Sequence, residues 1–277
     1  MLNIAKTEWL KIKKYPAFWL VISITALSYP GINYILYKGF QDVTKSKEAA
    51  GKVASALLGQ PFSLPEIWHT AAFASSIFVF IPAIVIIMLI TNEYTYKTSR
   101  QNIIDGWSRF EFMKAKLLDV VIITAIVTIL YTITAISIGL ANITDENAHK
   151  WQLSYYIGLF ALQTFSQLSL AFLVGLMVRK AFIALSIFVF YYLILEPVGV
   201  QFLKRYPSET SFFYDIGRFL PLEISDRTIP PPTFIGRFNQ KAHQLSLDAV
   251  NTHVLYTFIL IALTWFLCFR INNRRDL

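Results

Sequence analysis

Residues 120–142 read VVIITAIVTILYTITAISIGLAN and contain no charged side chain. As a helix rising ~1.5 Å per residue, the run covers about 35 Å, more than the roughly 30 Å hydrocarbon core of a bilayer. A spanning strand would show short alternating stretches instead, so the run reads as a membrane helix. Outward from it the pattern repeats at 17–37, 70–92, 151–178, 181–195 and 249–269. Four of these runs also reach spanning length. The run at 181–195 covers only about 23 Å at that rise, and it spans only if Glu196 and the apolar residues beyond it are included. The expected fold class is all-α integral membrane, with six transmembrane helices in a single domain over residues 1–277.

Composition agrees. Charged residues make up 15% of the chain and hydrophobic ones 55%, against roughly 25% charged in soluble domains. The run at 17–37 holds Pro30-Gly31 and lacks a small-x-small cleavage site, so it reads as the first crossing rather than a cleaved signal. The 25 Lys and Arg against 17 Asp and Glu flank apolar helices, which points to topology and anionic lipid and not to nucleic acid. One cysteine, Cys268, excludes an intrachain disulfide, and no zinc or iron–sulfur motif is present.

Six crossings put both termini on one side. With the N-terminus inside, the inner segments hold 14 Lys and Arg and the outer ones 11, over about half as many residues, so cytoplasmic termini are favoured. Lys38, Lys45, Lys47 and Lys52 in the first outer loop reduce the contrast. Leu2, Ala5, Trp9 and Ile12 form a helical stripe among Lys6, Lys11, Lys13 and Lys14, which predicts an interfacial amphipathic helix over 1–16. The alternative is a basic flank with an incidental stripe. Pro30 and Pro82 predict kinks in the first and second crossings, either as hinges or to fit neighbours. Arg179-Lys180 is nearly the whole join of the fourth and fifth crossings, so these form a tight hairpin.

The segment 196–248 carries Phe202, Tyr206, Phe212, Phe213, Tyr214, Phe219, Phe234 and Phe238, too many aromatics for a solvated coil. It predicts either short helices re-entering or lying on the outer leaflet, beginning near Glu196-Pro197, or a compact cap outside the membrane. Within the fourth crossing, Gln163 and Gln167 share a face one turn apart, suited to joining helices or lining a path. With Glu196 they are the candidate path or outer gate.

Residues 92–116, NEYTYKTSRQNIIDGWSRFEFMKAK, are too polar to insert. Thr98 with Gln101 and Ser108 with Glu111 have capping-box spacing, and Gly106 falls where a helix C-terminus wants positive φ. A short helix over 99–105 is expected, with Ile103 and Ile104 facing water unless a partner's groove covers them. Here the chain resembles the ABC-2-type transporter permeases of bacteria. Glu93, the stretch Lys97-Thr98-Ser99-Arg100, then Ser108-Arg109 and Lys116 are similar to that family's loop, and the order of crossings is similar too. The resemblance implies a permease in the bacterial cytoplasmic membrane that pairs with a second copy or a related permease amid membrane lipids. It implies a separate cytoplasmic ATPase carrying ATP and magnesium, with no cofactor on this chain, and export of an amphipathic or lipid-linked substrate. It implies that Thr98, Ser99, Arg100, Gln101, Asn102, Ile103, Ile104 and Asp105 form the coupling helix. Glu93, Arg109 and Lys116 would anchor the loop, with an ion pair between Glu93 and Arg100.

The chain itself has no Gly-x-x-x-x-Gly-Lys-Ser/Thr phosphate loop. Two other functions compete. An intramembrane enzyme would need convergent ionisable groups, and only His69, His253, Glu196 and Cys268 lie near the crossings. An ion-coupled carrier would place charges at the midplane or show repeated halves, and the helix centres hold only uncharged polar residues.

Overall fold

The computed structural model describes residues 2–44, 58–104, 106–142, 149–204 and 216–274, and among them all regular structure is helical. Helix α1 is Leu2–Lys14, and α2 is Pro16–Thr44, opening on a proline whose fixed φ suits a first helical turn. Then follow α3 Ile67–Ser76, α4 Phe80–Thr95, α5 Thr98–Ile104, α6 Arg109–Ala141 and α7 Tyr156–Val178. Helix α8, Ala181–Phe190, passes through a π-turn at Tyr191–Leu195 into α9, Glu196–Lys204. Short helices α10 (Pro221–Asp226), α11 (Thr233–Gly236) and α12 (Gln240–Asp248) lead to α13, Val250–Arg274. Five helical stretches are long and apolar enough to cross a membrane, and six if the bent pair α3 and α4 counts as one.

That pair corrects the second crossing. It is not one helix kinked at Pro82: α3 and α4 meet at 50° across residues 77–79. Pro82 is the third residue of α4, where a missing N–H costs no helical hydrogen bond, so the proline lies just inside a new helix instead of bending an old one. The fifth crossing meets the condition that its length set, that Glu196 and the residues beyond it be included. It does not stop at Leu195 but runs on through Glu196 to Leu203. The π-turn explains how it continues. The Glu196 N–H bonds to the Tyr191 carbonyl, five residues back, and this wider turn relieves the clash that the Pro197 ring would cause in an α-turn.

Successive crossings run up and down. The α1 residue Glu8 touches Lys116 near the start of α6, and Asn272 near the end of α13 touches Arg109, so both described chain ends lie at one end of the bundle. Arg179, in the α7–α8 join, is at the same end, its guanidinium 4.4 Å from the Tyr94 ring. The backbone at Arg179 turns left-handed (φ +57°), closing the expected short hairpin.

Helix α7 is the axis. It packs against α3, α4, α6, α8, α10 and α13, and it buries Gln163, Thr164, Ser166, Gln167 and Ser169. Ser169 accepts from the Trp265 indole N–H at 3.0 Å, and the Trp265 ring stacks on Phe172. Gly175 permits a close approach to α4, because a Cβ there would lie 2.5 Å from Ile90 Cγ2. The outer helices invert this pattern. Leu20, Leu27 and Ile35 on α2, and Phe182, Ile187 and Phe190 on α8, are exposed. Polar faces inward and aliphatic surface outward are what a hydrocarbon solvent selects.

Candidate functional site

At the end holding both chain ends, charges from three helices meet away from solvent. Lys116 Nζ donates to Glu8 Oε2 at 2.5 Å, to Glu93 Oε1 at 2.8 Å and to Asp119 Oδ2 at 3.2 Å. An ammonium has three N–H bonds, so each is committed to a different carboxylate. Lys11, partly exposed, adds contacts to Glu8 Oε1 (2.9 Å) and Glu93 Oε1 (3.3 Å). Lys116 itself is 2% exposed, and Glu8 1%. The group therefore ties α1 to α4 and α6. A second bond alongside, Asn92 Nδ2 to the Tyr15 hydroxyl at 2.9 Å, ties the end of α4 to the α1–α2 corner.

The other Glu93 oxygen extends the network into the short loop helix. Thr98 Oγ1 donates to Glu93 Oε2 at 2.5 Å. The ion pair expected between Glu93 and Arg100 is thus replaced: Glu93 pairs with Lys116 and Lys11, and Arg100 is exposed. Thr98 is the first residue of α5 and not its cap. The carbonyl of Lys97, which takes a left-handed φ of +56°, accepts from the Arg100 and Gln101 amides. The far end of α5 closes as a Schellman motif, with Gly106 N–H bonded to Ile103 O and Trp107 N–H to Asn102 O, and Gly106 at φ +98°. The Ser108–Glu111 capping box is formed and starts α6. Ser99 is buried, Asn102 and Ile103 are half-buried, and Gln101 is exposed. Ile104 is 77% exposed, and Asp105 lies outside the described residues. Arg109 faces away from this group and joins α6 to α13 through the Asn272 and Asn273 carbonyls, at 3.2 and 3.0 Å.

Glu8, Lys11 and Asp119 belong to this network without having been singled out in the sequence. Glu8 had a legible signal, since it lies three residues after Ala5 and four before Ile12, on the side of α1 that the apolar stripe marks. Ile12 is fully buried beside it, whereas Trp9 turns half outward. Burial alone would raise the Glu8 carboxyl, but the ammonium groups of Lys116 and Lys11 outweigh it and hold the group below its ordinary 4.5. A carboxyl depressed in the folded state stabilises fully above its unfolded value and loses that contribution as pH falls through the folded one. Hydrogen-exchange protection of the α1 amides, corrected for intrinsic rates, should fall as pH drops below about 4.5. Unchanged protection at pH 3 would contradict this attachment.

The opposite half of the bundle brings together the other candidates. Gln163 and Gln167 both donate to Asp226 Oδ1, each at 2.7 Å. They lie seven and eleven residues into α7, about 10 and 16 Å along its axis, so the end of α10 sits within the length of the bundle. Thr257 of α13 reaches the Ile224 carbonyl at 3.4 Å from the other side. Glu196 is 3% exposed, and its Oε1 accepts the Glu223 N–H at 2.6 Å, satisfying an orphan amide in the first turn of α10. The two glutamines and Glu196 thus hold one short helix by its two ends. Asp226 and Glu223 were not singled out, because the re-entrant reading of 196–248 carries no local pattern that says which of its residues meet Gln163, Gln167 and Glu196. Tyr206, Phe212, Phe213 and Tyr214, singled out in this segment, lie outside the described residues. A cavity of about 730 Å³ opens beside α10, with Phe73, Ile229, Leu245 and His253 among its walls.

A protein-family model described as ABC-2 family transporter protein matches residues 4–195, which include most of α1, the loop helix and every residue of the charge network. No curated protein matches the chain.

Proposed function

Since the chain belongs to the ABC-2 family of transporter proteins, we propose that it is the membrane-spanning permease of a transporter whose ATP is hydrolysed by a separate chain seated on α5. Family and helices together make it a multi-pass transport subunit and not a catalytic enzyme. In the finer reading, α5 faces the cytoplasm, enters a groove on the ATPase and passes on its movement. The observation that carries the reading is the way α5 is mounted. It is a polar helix of under two turns presenting a bare Ile104, yet its first residue is hydrogen-bonded to Glu93 and through it to Lys116. A push on α5 is therefore transmitted to α4, α6 and α1 together, and not absorbed by a slack loop. Closure of an ATPase pair on bound nucleotide would bias two arrangements of these helices.

By the same reading, α10 forms a re-entrant element on the far side, both chain ends are cytoplasmic, and the cargo leaves the cell as an amphipathic or lipid-linked molecule. A second permease, identical or related, would complete the path. The sidedness is directly testable. In a Cys268→Ser background, Ile104→Cys should react with a membrane-impermeant maleimide in inside-out vesicles stripped of the ATPase and stay unlabelled in intact cells. Labelling from outside the cell would overturn the reading, because α5 would then be cut off from ATP.

A further inference from the structure

Between α9 and α10 lies a cavity of about 280 Å³, whose walls include Tyr192, Glu196, Leu222, Glu223 and Asp226. Three of these are carboxylates, and among the described residues the wall contains no Lys, Arg or His. Glu223 already has a cationic partner, Arg227, at 2.7 Å. The other two are held by neutral donors: Glu196 by backbone amides of α10 and the Tyr191 side chain, and Asp226 by two glutamine side chains. Glu196 Oε2 is buried and has no hydrogen-bond partner. A carboxylate oxygen left bare in a buried site is costly, and either a proton or a cationic ligand relieves it.

The cavity is continuous in its walls with the larger one of about 730 Å³, since Glu223 and Asp226 line both. The larger one is mainly apolar on the side of Phe73, Ile229 and Leu245. We propose that the smaller cavity binds the cationic head of an amphipathic ligand, an ammonium or guanidinium group, between Glu196 and Asp226. The ring of Tyr192 forms part of the same pocket, and the ligand's apolar body extends along the larger cavity. Gln163 and Gln167 act as positioning residues that keep the Asp226 carboxylate turned to the pocket. A metal ion does not suit the site: among the described residues no group of three His, Cys, Asp or Glu is placed to hold one.

The inference rests on the permease reading only for calling the ligand a cargo; binding itself is measured on the full chain without an ATPase. The protein in lipid nanodiscs is titrated calorimetrically with benzylammonium, and with benzoate and benzyl alcohol as matched controls. Benzylammonium should bind saturably and at least ten-fold more tightly than either control. Glu196→Gln and Asp226→Asn should each weaken it at least ten-fold, with helicity and gel-filtration behaviour unchanged, since the glutamine keeps an acceptor for the Glu223 amide. Equal binding of benzyl alcohol marks a merely apolar cavity and overturns the proposal. So does unchanged affinity in both variants. The comparison of the three probes on the unsubstituted protein decides the matter even if a variant fails to fold. A negative result leaves the docking of an ATPase on α5 untouched.

Discussion

Lys116→Met should be the most damaging single substitution in the chain. It removes the one ammonium that touches Glu8, Glu93 and Asp119 together and leaves three carboxylates around a partly exposed Lys11. Breaking a buried ion pair by deleting one partner costs about 3–5 kcal/mol, because the charge left behind is neither solvated nor paired. The midpoint of thermal unfolding in detergent should fall by roughly 10 °C, taking about 2–4 °C per kcal/mol for a chain of this size. The same removal frees α1, so its amides should lose exchange protection at neutral pH, where the wild type keeps it. Glu93→Gln added to Lys116→Met should recover part of the loss, since one unpaired carboxylate is taken away again. If Lys116→Met melts with the wild type, the network is not what joins α1 to the bundle.

The contrast between this network and the rest of the fold shows what a sequence displays. The crossings were legible because their signal is local: a run such as 120–142 without charge has few other uses. The Ser108–Glu111 cap was legible for the same reason, and Gly106 takes the positive φ expected of it, whereas Thr98 bonds to Glu93 and does not cap α5. Where the reading fell short, a distant residue decided the outcome. Glu196 ended the apolar run on paper, yet it remains inside the helix because the backbone of α10 supplies its hydrogen bond. The second crossing breaks at 77–79 and not at Pro82, and no residue type there announces it. Glu93 found Lys116 and Lys11 instead of Arg100 because α6 and α1 bring those ammonium groups to it. Counting lysines as topogenic flanks had set Lys11 aside. Asp226 was invisible, since only the insertion of α10 brings it to Gln163 and Gln167.

Replacing both Ile103 and Ile104 by Asp should abolish capture of the ATPase while sparing the membrane part. Ile104 is 77% exposed and Ile103 half-buried, so neither belongs to the packed core of the bundle. Removing their burial in a partner groove loses about 1.5–3 kcal/mol for each side chain fully covered. Introducing carboxylates into an apolar groove adds a desolvation penalty to that loss. Together these exceed the ~2.7 kcal/mol that separates a hundred-fold change in affinity. Tagged protein extracted from its native membrane should bring down a nucleotide-binding chain in the wild type and none in the double variant. The variant should keep the wild-type melting point, because Thr98 still reaches Glu93 and the cap at Ser108 is unaltered. Arg100→Ala gives a graded comparison. An exposed ion pair is worth up to about 1 kcal/mol, so capture should weaken several-fold without vanishing. Equal capture by the double variant and the wild type would place the ATPase elsewhere on the molecule, and the mounting of α5 on Glu93 would then serve only to close a loop.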